Sequence, residues 1–283
     1  MTLRRLELAT SWGPLNLAGG SRAGEATLLL LPQLRLALDA GRAHRALPPM
    51  STLLVSHGHA DHLGGLGYWA SQRELGSMGP GAVLAPAPVA PKVDRLLHAL
   101  ADLEGGRPYP VEVVGVSSGS VHPLRRDVDL HVFETTHWVP TVGARLRWTR
   151  RVLRPDLEGT PADELAALRR SGEEISVPRP VDILAYCADC TAETLDLNPE
   201  LYRTEILLVE CSFFAPADRD RAARYGHVHL EDLVQRADRF ANRHLILLHP
   251  SRRQRLKAVE AAIARRLAPR VAPKVHHLGV DWE

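Results

Sequence analysis

Lysine is almost missing from this chain of 283 residues, although basic residues are not. The 35 basic residues include only Lys92, Lys257 and Lys274, which leaves 32 arginines. Arginine binds phosphate through two parallel hydrogen bonds, so the bias is compatible with recognition of phosphate or RNA. A GC-rich genome gives the same bias, and the abundant alanine, glycine and proline fit that explanation too. A formal net charge of +2 does not by itself indicate a nucleic-acid-binding protein.

Cysteine and long apolar runs are also scarce. Three cysteines, Cys187, Cys190 and Cys211, are an odd number and too few for a disulfide framework, so we expect thiols in a reducing, cytoplasmic compartment. The Cys187-x-x-Cys190 pair lacks a second pair to complete a zinc knuckle, so buried thiols near the site are expected. No run approaches the roughly 18 apolar residues of a membrane span, and the first residues do not read as a secretion signal.

The remaining composition is that of a folded α/β protein. Hydrophobic residues make up 45% of the chain and charged residues 24%, which excludes disorder and supports a substantial core. We expect a single domain over residues 1–283, because α/β enzymes of about 250 residues are often one unit. Short aliphatic runs bounded by turn residues predict strands at 27–31, 34–38, 52–55, 82–85, 111–114, 128–133, 181–186, 205–209 and 244–248. Helical spacing predicts helices at 93–103, 163–171, 230–240 and 256–267.

Polar side chains follow five of these strands. They are His57, His137, Asp189, Glu210 and His249. Open sheets bind ligands at the carboxyl ends of their strands, because side chains from several strands converge there. We therefore expect one site assembled from most of the chain.

The densest motif is Ser56-His57-Gly58-His59-Ala60-Asp61-His62. Three imidazoles and a carboxylate within six residues, on a turn between a strand and a helix, suit two adjacent cations about 3.5–4 Å apart. These ligand types favour zinc, with manganese or iron as alternatives. His137, Asp189 and His249 bring the number of candidate ligands to seven.

This ordered set of residues resembles the metallo-β-lactamase superfamily and, within it, the ribonuclease Z family. Tyr225-Gly-His-Val-His-Leu230 and Leu208-Val-Glu-Cys-Ser-Phe213 are the passages most similar to ribonuclease Z. The resemblance implies an αββα sandwich of two mixed sheets with helices outside. It also implies a homodimer and an endoribonuclease that trims the 3′ ends of tRNA precursors by attack of metal-bound hydroxide.

The resemblance further implies a role for each residue. His57, His59 and His137 would hold one metal, Asp61, His62 and His249 the other, and Asp189 would bridge them. Glu210 and His227 would form a dyad in which His227 protonates the leaving oxygen, with His229 as the less favoured candidate. Ser251 and Arg253 would clamp the phosphate, with Arg252 as the alternative.

A basic segment follows the His137 motif. Five arginines lie between Arg145 and Arg154 around Trp148, and Arg150 and Arg151 are its candidate RNA-binding residues. We expect this segment at the rim of the site; an exposed strand pair is the other interpretation. Residues 150–180 form a short substitute for the long arm of many ribonuclease Z proteins, and Ala188 and Cys190 replace the glycine and threonine that usually flank the bridging aspartate. A phosphodiesterase for small or other nucleic-acid substrates, or an ester or thioester hydrolase, therefore stays an alternative.

Overall fold

The computed structural model describes residues 3–282 and contains two seven-stranded sheets. In both sheets the spatial order of the strands follows the chain. The first sheet consists of β1 (Arg4–Thr10), β2 (Gly13–Arg22), β3 (Ala26–Leu31), β4 (Leu36–Ala40), β5 (Thr52–Leu54), β6 (Gly81–Pro86) and β7 (Val111–Val116). The second consists of β8 (Val121–Pro123), β9 (Val128–Glu134), β10 (Val142–Leu153), β11 (Ser176–Cys187), β12 (Ile206–Glu210), β13 (His244–Leu248) and β14 (Lys274–His277).

Each sheet is antiparallel in its first half and parallel in its second. Strands β1 to β4 and strands β8 to β11 pair antiparallel, whereas β4 to β7 and β11 to β14 pair parallel. Parallel pairing needs crossover connections, and most of the helices lie in them. The carboxyl ends of β5, β11, β12 and β13 are therefore all followed by loops that can carry a site.

The helices are short. They are α1 (Ala60–Leu63), α2 (Leu66–Leu75), α3 (Ala90–Leu103), α4 (Ala162–Arg170), α5 (Glu193–Leu197), α6 (Arg219–Tyr225), α7 (Leu230–Val234) and α8 (Leu256–Ala262), the last continuing as a π-helix over Ile263–Leu267. Single 3₁₀ turns occur at Pro32–Leu34, Pro155–Leu157, Pro199–Arg203, Pro216–Asp218, Ala237–Arg239 and Ala268–Arg270. Among the described residues, no helix has the length and apolar character that crossing a membrane requires.

Alternation along the strands separates three apolar layers. In β3, Leu29 and Leu31 belong to the core between the sheets, whereas Leu28 and Leu30 pack in the layer that contains Trp69 of α2. Strand β12 is similar, because alternate residues face the central layer or the layer of α5 and α7. Strands buried on both faces read as continuous apolar runs, which is why they were visible in the sequence. The αββα sandwich predicted from the sequence is confirmed.

Two predicted elements differ in detail. The strand predicted at 34–38 begins only at Leu36, because Pro32–Leu34 forms a 3₁₀ turn that ends at Arg35 with φ of +48°. The helix predicted over 230–240 ends at Val234. There, Arg236 Nη1 donates to the carbonyl oxygen of Asp232 at 3.0 Å, the oxygen to which the next helical amide would donate. The chain continues in the 3₁₀ turn Ala237–Arg239, which keeps Ala237 buried.

Strands β10 and β11 extend past their neighbours as a two-stranded ribbon. Their pairing runs from Ala144 with Tyr186 to Leu153 with Ser176, whereas β9 covers only the stretch from Val142 to Trp148. Helix α4 lies in the connection at the tip and buries none of its residues. The arm-like segment predicted near residues 150–180 corresponds to this ribbon tip; the assignment of the whole chain to one domain stays a prediction.

Candidate metal centre and active site

The predicted ligands come from both sheets and meet at one edge. His57 follows β5, and His59 is the residue before α1, which carries Asp61 and His62. From the second sheet, His137 follows β9, Asp189 follows β11 and His249 follows β13. This edge is the carboxyl end of the parallel strands, where the strand-end argument expected His57, His137, Asp189 and His249. The other three ligands were expected from the motif after β5, and they lie at the same edge.

The seven predicted ligands fall into two clusters, and a third cluster joins Asp189 and His249 to Glu210 and His227. One ligand atom from each of His57, His59, His137 and Asp189 lies within 4.8 Å of the others, and the same holds for Asp61, His62 and His249. In the first cluster, His57 Nε2 is 2.9 Å from His59 Nδ1. In the second, His249 Nε2 is 3.4 Å from Asp61 Oδ2.

Asp189 lies between the two clusters. Its Oδ1 is 3.3 Å from Nε2 of both His62 and His249. Its Oδ2 faces the first cluster, 3.7 Å from His57 Nε2. A carboxylate in this position offers one oxygen to each cluster.

Several of these atoms are buried without a hydrogen-bond partner. They include His62 Nε2, His137 Nε2 and Asp189 Oδ1. Unpaired buried polar atoms are costly, and here they belong to side chains of a single pair of clusters. Imidazole nitrogens and carboxylate oxygens are the ligands that borderline divalent metals prefer. The residues present therefore fit a pair of divalent metal ions.

In four of the ligand histidines, Nδ1 contacts a fixed partner, and this contact directs Nε2 into the clusters. The Nδ1 contacts are His57 with Ser56 Oγ at 3.0 Å, His62 with Asp39 Oδ2 at 2.6 Å, His137 with the carbonyl of Gly226 at 3.1 Å, and His249 with Ser212 Oγ at 3.0 Å.

Asp39 is a functional residue that the sequence analysis did not assign. It is fully buried at the end of β4, with φ of +58°. Besides His62, it accepts hydrogen bonds from the backbone and hydroxyl of Ser56, at 2.7 and 2.8 Å, and from the Tyr186 hydroxyl at 2.5 Å. Asp189 was identified because it is a carboxylate at the end of a predicted strand. Asp39 has an equivalent position, so the same criterion would have identified it from the sequence.

Charge and burial set the protonation of the ligands. Burial, reinforced by repulsion from His62, lowers the pKa of His57 to about 2. Burial acts to raise the pKa of Asp189, but attraction to His249 and His62 outweighs it and the pKa falls well below its usual value. His62 differs: burial lowers its pKa, yet Asp189 and Asp39 together raise it above the usual value. The Asp189 carboxylate and the His57 imidazole are thus in the forms that metal binding requires.

Glu210 and His227 form a hydrogen-bonded pair beside the clusters. His227 Nδ1 donates to Oε1 of the fully buried Glu210 at 2.6 Å, and Ser212 Oγ donates to Oε2 at 2.8 Å. Burial acts to lower the pKa of His227, but the charge and hydrogen bond of Glu210 outweigh it and raise that pKa to about 9. The His227 ring centre is 5.5 Å from that of His137 and 5.3 Å from that of His249. A protonated imidazole therefore adjoins the candidate metal centre.

His229, the other candidate for this role, has a structural position. Its Nδ1 accepts from the backbone of Glu231 at 3.1 Å, which caps the start of α7. Its Nε2 contacts the carbonyl of Ala215 at 2.9 Å. Both ring nitrogens are occupied, which leaves His227 as the candidate for proton transfer.

The residues after His249 lie at the mouth of the site. Ser251, Arg252 and Arg253 line a cavity of about 490 Å³ together with His59, His137 and His227. Arg22 supports this loop, because its Nη2 donates to the carbonyl oxygen of Gln254 at 2.7 Å. The three cysteines are free and buried, as expected, and burial raises the pKa of Cys187 above its usual value.

Arg150 and Arg151 do not lie at the rim of this site, so that expectation about their position was wrong. The backbone of Val142 donates to Ser56 beside the metal centre, and β10 then runs away from it. Eight strand residues at about 3.3 Å each place Arg150 about 26 Å farther along the ribbon. The expectation was based on the short distance in sequence between His137 and Arg150. The length of β10 separates these two residues in space.

Comparisons with known proteins agree with this architecture. A family model described as the beta-lactamase superfamily domain matches residues 23–250. The chain is 30% identical to tRNase Z TRZ1 of Arabidopsis thaliana over 250 residues, covering 87% of this chain and 89% of that protein. It is 25% identical to the chloroplastic tRNase Z TRZ2 of the same plant, covering 91% and 73% of the two chains.

A solved structure supports the fold. The metallo-beta-lactamase fold protein YhfI of Bacillus subtilis superimposes with a TM-score of 0.64 at 14% identity, covering 93% of this chain and 96% of that chain. Residues 23–250, which the family model matches, include all seven candidate ligands. The chain thus belongs to the beta-lactamase superfamily and, within it, to the tRNase Z (ribonuclease Z) family.

Proposed function

We propose that this protein is a metal-dependent endoribonuclease that cleaves tRNA precursors at their 3′ ends. The relatives named tRNase Z support the reaction. The observation that carries the proposal is the Glu210–His227 pair beside the two ligand clusters. An RNA 3′ oxygen is a poor leaving group, so its departure benefits from a proton donor, and a thioester would need none.

In this proposal, His57, His59 and His137 would hold one ion, Asp61, His62 and His249 would hold the other, and Asp189 would contribute to both. Zinc suits the ligand set best, and manganese or iron are the alternatives. Two bound divalent ions would supply a water ionised near neutral pH and positive charge opposite the phosphodiester oxygens.

The chain's own residues complete the chemistry. Glu210 holds His227 Nδ1, so that Nε2 carries the proton delivered to the departing 3′ oxygen. Asp61 Oδ2 accepts from the backbone of Gly24 at 2.8 Å and faces His249, which fixes this catalytic carboxylate in the site. Ser251 and Arg253 would hold the phosphate from the side of the open cavity.

The ribbon extends the substrate-binding surface. Of the two arginines predicted to bind RNA, Arg150 would contact it about 26 Å along β10 from the backbone next to the metal centre, whereas Arg151 pairs with Glu174. A dinucleotide is too short to reach both places, whereas a folded RNA is long enough. The proposal also includes a cytoplasmic homodimer, whose mass would appear in sedimentation equilibrium.

The proposed reaction is tested with two substrates and one variant. Metal-replete protein should cleave a 3′-extended tRNA precursor and also bis(p-nitrophenyl) phosphate, whose leaving group needs no proton. His227→Ala should slow precursor cleavage about 10²- to 10⁴-fold while leaving the aryl diester within a fewfold of wild type.

Two outcomes would contradict the proposal. Equal losses on both substrates would remove the acid role of His227. Wild-type cleavage of the aryl diester with every precursor left intact would favour the alternative, a phosphodiesterase for smaller substrates.

A further inference from the structure

Trp138 is an exposed aromatic side chain directly beside the candidate metal centre. It follows His137, and 70% of its surface is exposed. Large apolar side chains usually bury more of their surface in a folded protein. Because Trp138 adjoins the candidate metal centre, its exposed surface is a candidate contact for the substrate.

One face of the indole is covered by backbone. A Cβ placed on Gly226 would lie 2.6 Å from Nε1, 2.8 Å from Cδ1 and 3.1 Å from Cε2 of Trp138. Because these distances are so similar, that point lies over the face of the pyrrole ring rather than beyond its edge. Gly226 also has φ of +69° and accepts the His137 hydrogen bond, so the indole rests on a backbone that the site itself fixes. Gly226 thus covers one face only at the pyrrole ring, and 70% of the Trp138 surface stays exposed.

Trp138 stands between two cavities that share the catalytic residues. His137 and His227 line both cavities, one of about 840 Å³ and the other of about 490 Å³. A phosphodiester at the metal centre has a nucleoside on each side, and each cavity offers room for one.

The surroundings carry charge complementary to RNA. Arg252 and Arg253 line the smaller cavity with Trp138. Within residues 3–282, neither guanidinium forms an ion pair or a side-chain hydrogen bond. In the larger cavity, Arg219 and Arg236 are neutralised by Asp232 and Asp196. Free arginines beside an open aromatic face are the combination that binds single-stranded nucleic acid.

We propose that Trp138 stacks on the base of a nucleotide adjacent to the scissile phosphate of an RNA substrate. This rests on the proposed function, because it assigns a substrate contact to the same site. Stacking positions the phosphate through the attached base, so Trp138 contributes to binding and orientation without touching the proton that His227 transfers.

The first test uses Trp138→Ala and Trp138→Phe on a 3′-extended tRNA precursor. Loss of one stacked base should lower kcat/KM about 5- to 150-fold for Trp138→Ala, and phenylalanine should restore most of it. Leu103→Ala removes an 84% exposed apolar side chain from the outer helix α3 and is the matched control, with unchanged kcat/KM expected. A Trp138→Ala variant with wild-type kcat/KM would overturn the proposal. So would a variant whose loss of kcat/KM is explained entirely by dissociation of a dimer.

The second test identifies the stacked base. Precursors made abasic at the nucleotide on either side of the cleavage site are compared in wild type and Trp138→Ala. At one of the two positions, removing the base should slow wild type by the same factor as the mutation and slow Trp138→Ala no further. Equal slowing of both proteins at both positions would show that Trp138 contacts neither base.

The third test does not depend on cleavage. A single-stranded oligoribonucleotide should quench the fluorescence of wild type more than that of Trp138→Phe, which keeps the other four tryptophans. Equal quenching would overturn the stacking. If the wild type cleaved no precursor but showed the difference in quenching, the proposed reaction would fail while the base contact stood.

Discussion

Single residues behind the ligands decide how well the site can hold metal. Asp39 is the clearest case, because one carboxylate joins a ligand histidine, the Ser56 hydroxyl and the Tyr186 hydroxyl from the opposite sheet. Partners of this kind fix the orientation of the imidazole and raise its basicity. Ser212 has a similar place, since it accepts from His249 and donates to Glu210, and so connects the metal centre to the proton donor.

Asp39→Asn should lower metal affinity about 10- to 100-fold with the fold retained. The amide keeps the shape of the side chain but loses the charge that orients His62 Nδ1. The measurement is metal content after dialysis against a graded chelator, together with phosphodiesterase activity, which excess metal should restore. Asp102→Asn, on the exposed side of α3, is the matched control. Metal content equal to wild type at every chelator concentration would show that Asp39 serves the fold alone.

Elements differ in how far the sequence determines them. Strands such as β12 and β13 are buried on both faces, so their apolar runs and the polar residues at their ends, Glu210 and His249, could be found without a structure. The helical period over 230–240 was real, but it could not distinguish an α-helix from a short helix followed by a 3₁₀ turn, because both bury Leu233 and Ala237.

The rest of the site could not be predicted from the sequence, because it depends on contacts between segments that are distant in the chain. The hydrogen bonds of Asp39 to Tyr186 and of His137 to Gly226 join residues far apart in the chain, and no local pattern records such pairs. The ribbon is similar: the arginine-rich pattern predicted a strand pair or an RNA surface, but only the register shows which arginines face each other.

The ribbon register separates two kinds of arginine. Arg150 lies directly opposite Arg179, so two like charges share one face of the ribbon, and neither forms an ion pair within the described chain. Arg151 instead pairs with Glu174, and Arg154 pairs with Glu173 and Asp156. Like charges directly opposite are unfavourable unless an anion lies between them. Arg150 and Arg179 are therefore the better phosphate contacts.

Replacing both Arg150 and Arg179 by alanine should weaken binding of the tRNA precursor and reduce the slope of log affinity against log salt by about 2. Arg151→Ala should change that slope little, because Glu174 already neutralises its charge. The same double variant should melt slightly higher than wild type, since it removes a repulsive pair. Fluorescence anisotropy over a salt series, with the melting curves, measures both effects. A double variant with an unchanged slope would show that the ribbon does not contact RNA.

At the scale of the whole molecule, the candidate metal centre joins the two sheets. Its ligands run from residue 57 to residue 249 and come from the carboxyl ends of strands in both sheets. The site can bind an ion only when the chain is folded, because the fold brings these ligands together. Metal binding should therefore add to the stability of the entire sandwich, and not only to that of the loops.

Removal of metal by a chelator should lower the melting temperature, and added zinc should restore it. Metal at about 1,000 times its dissociation constant stabilises the fold by about 4 kcal/mol, which for a protein of this size is a shift on the order of 10 °C. His249→Ala removes a ligand and should shrink this chelator-dependent shift, whereas His98→Ala, on the exposed side of α3, should leave it at the wild-type value. Differential scanning calorimetry with and without chelator makes the measurement. Identical melting curves for metal-loaded and chelated wild type would mean that the seven side chains do not bind an ion in solution, because an ion that binds the folded chain and not the unfolded chain must stabilise the fold.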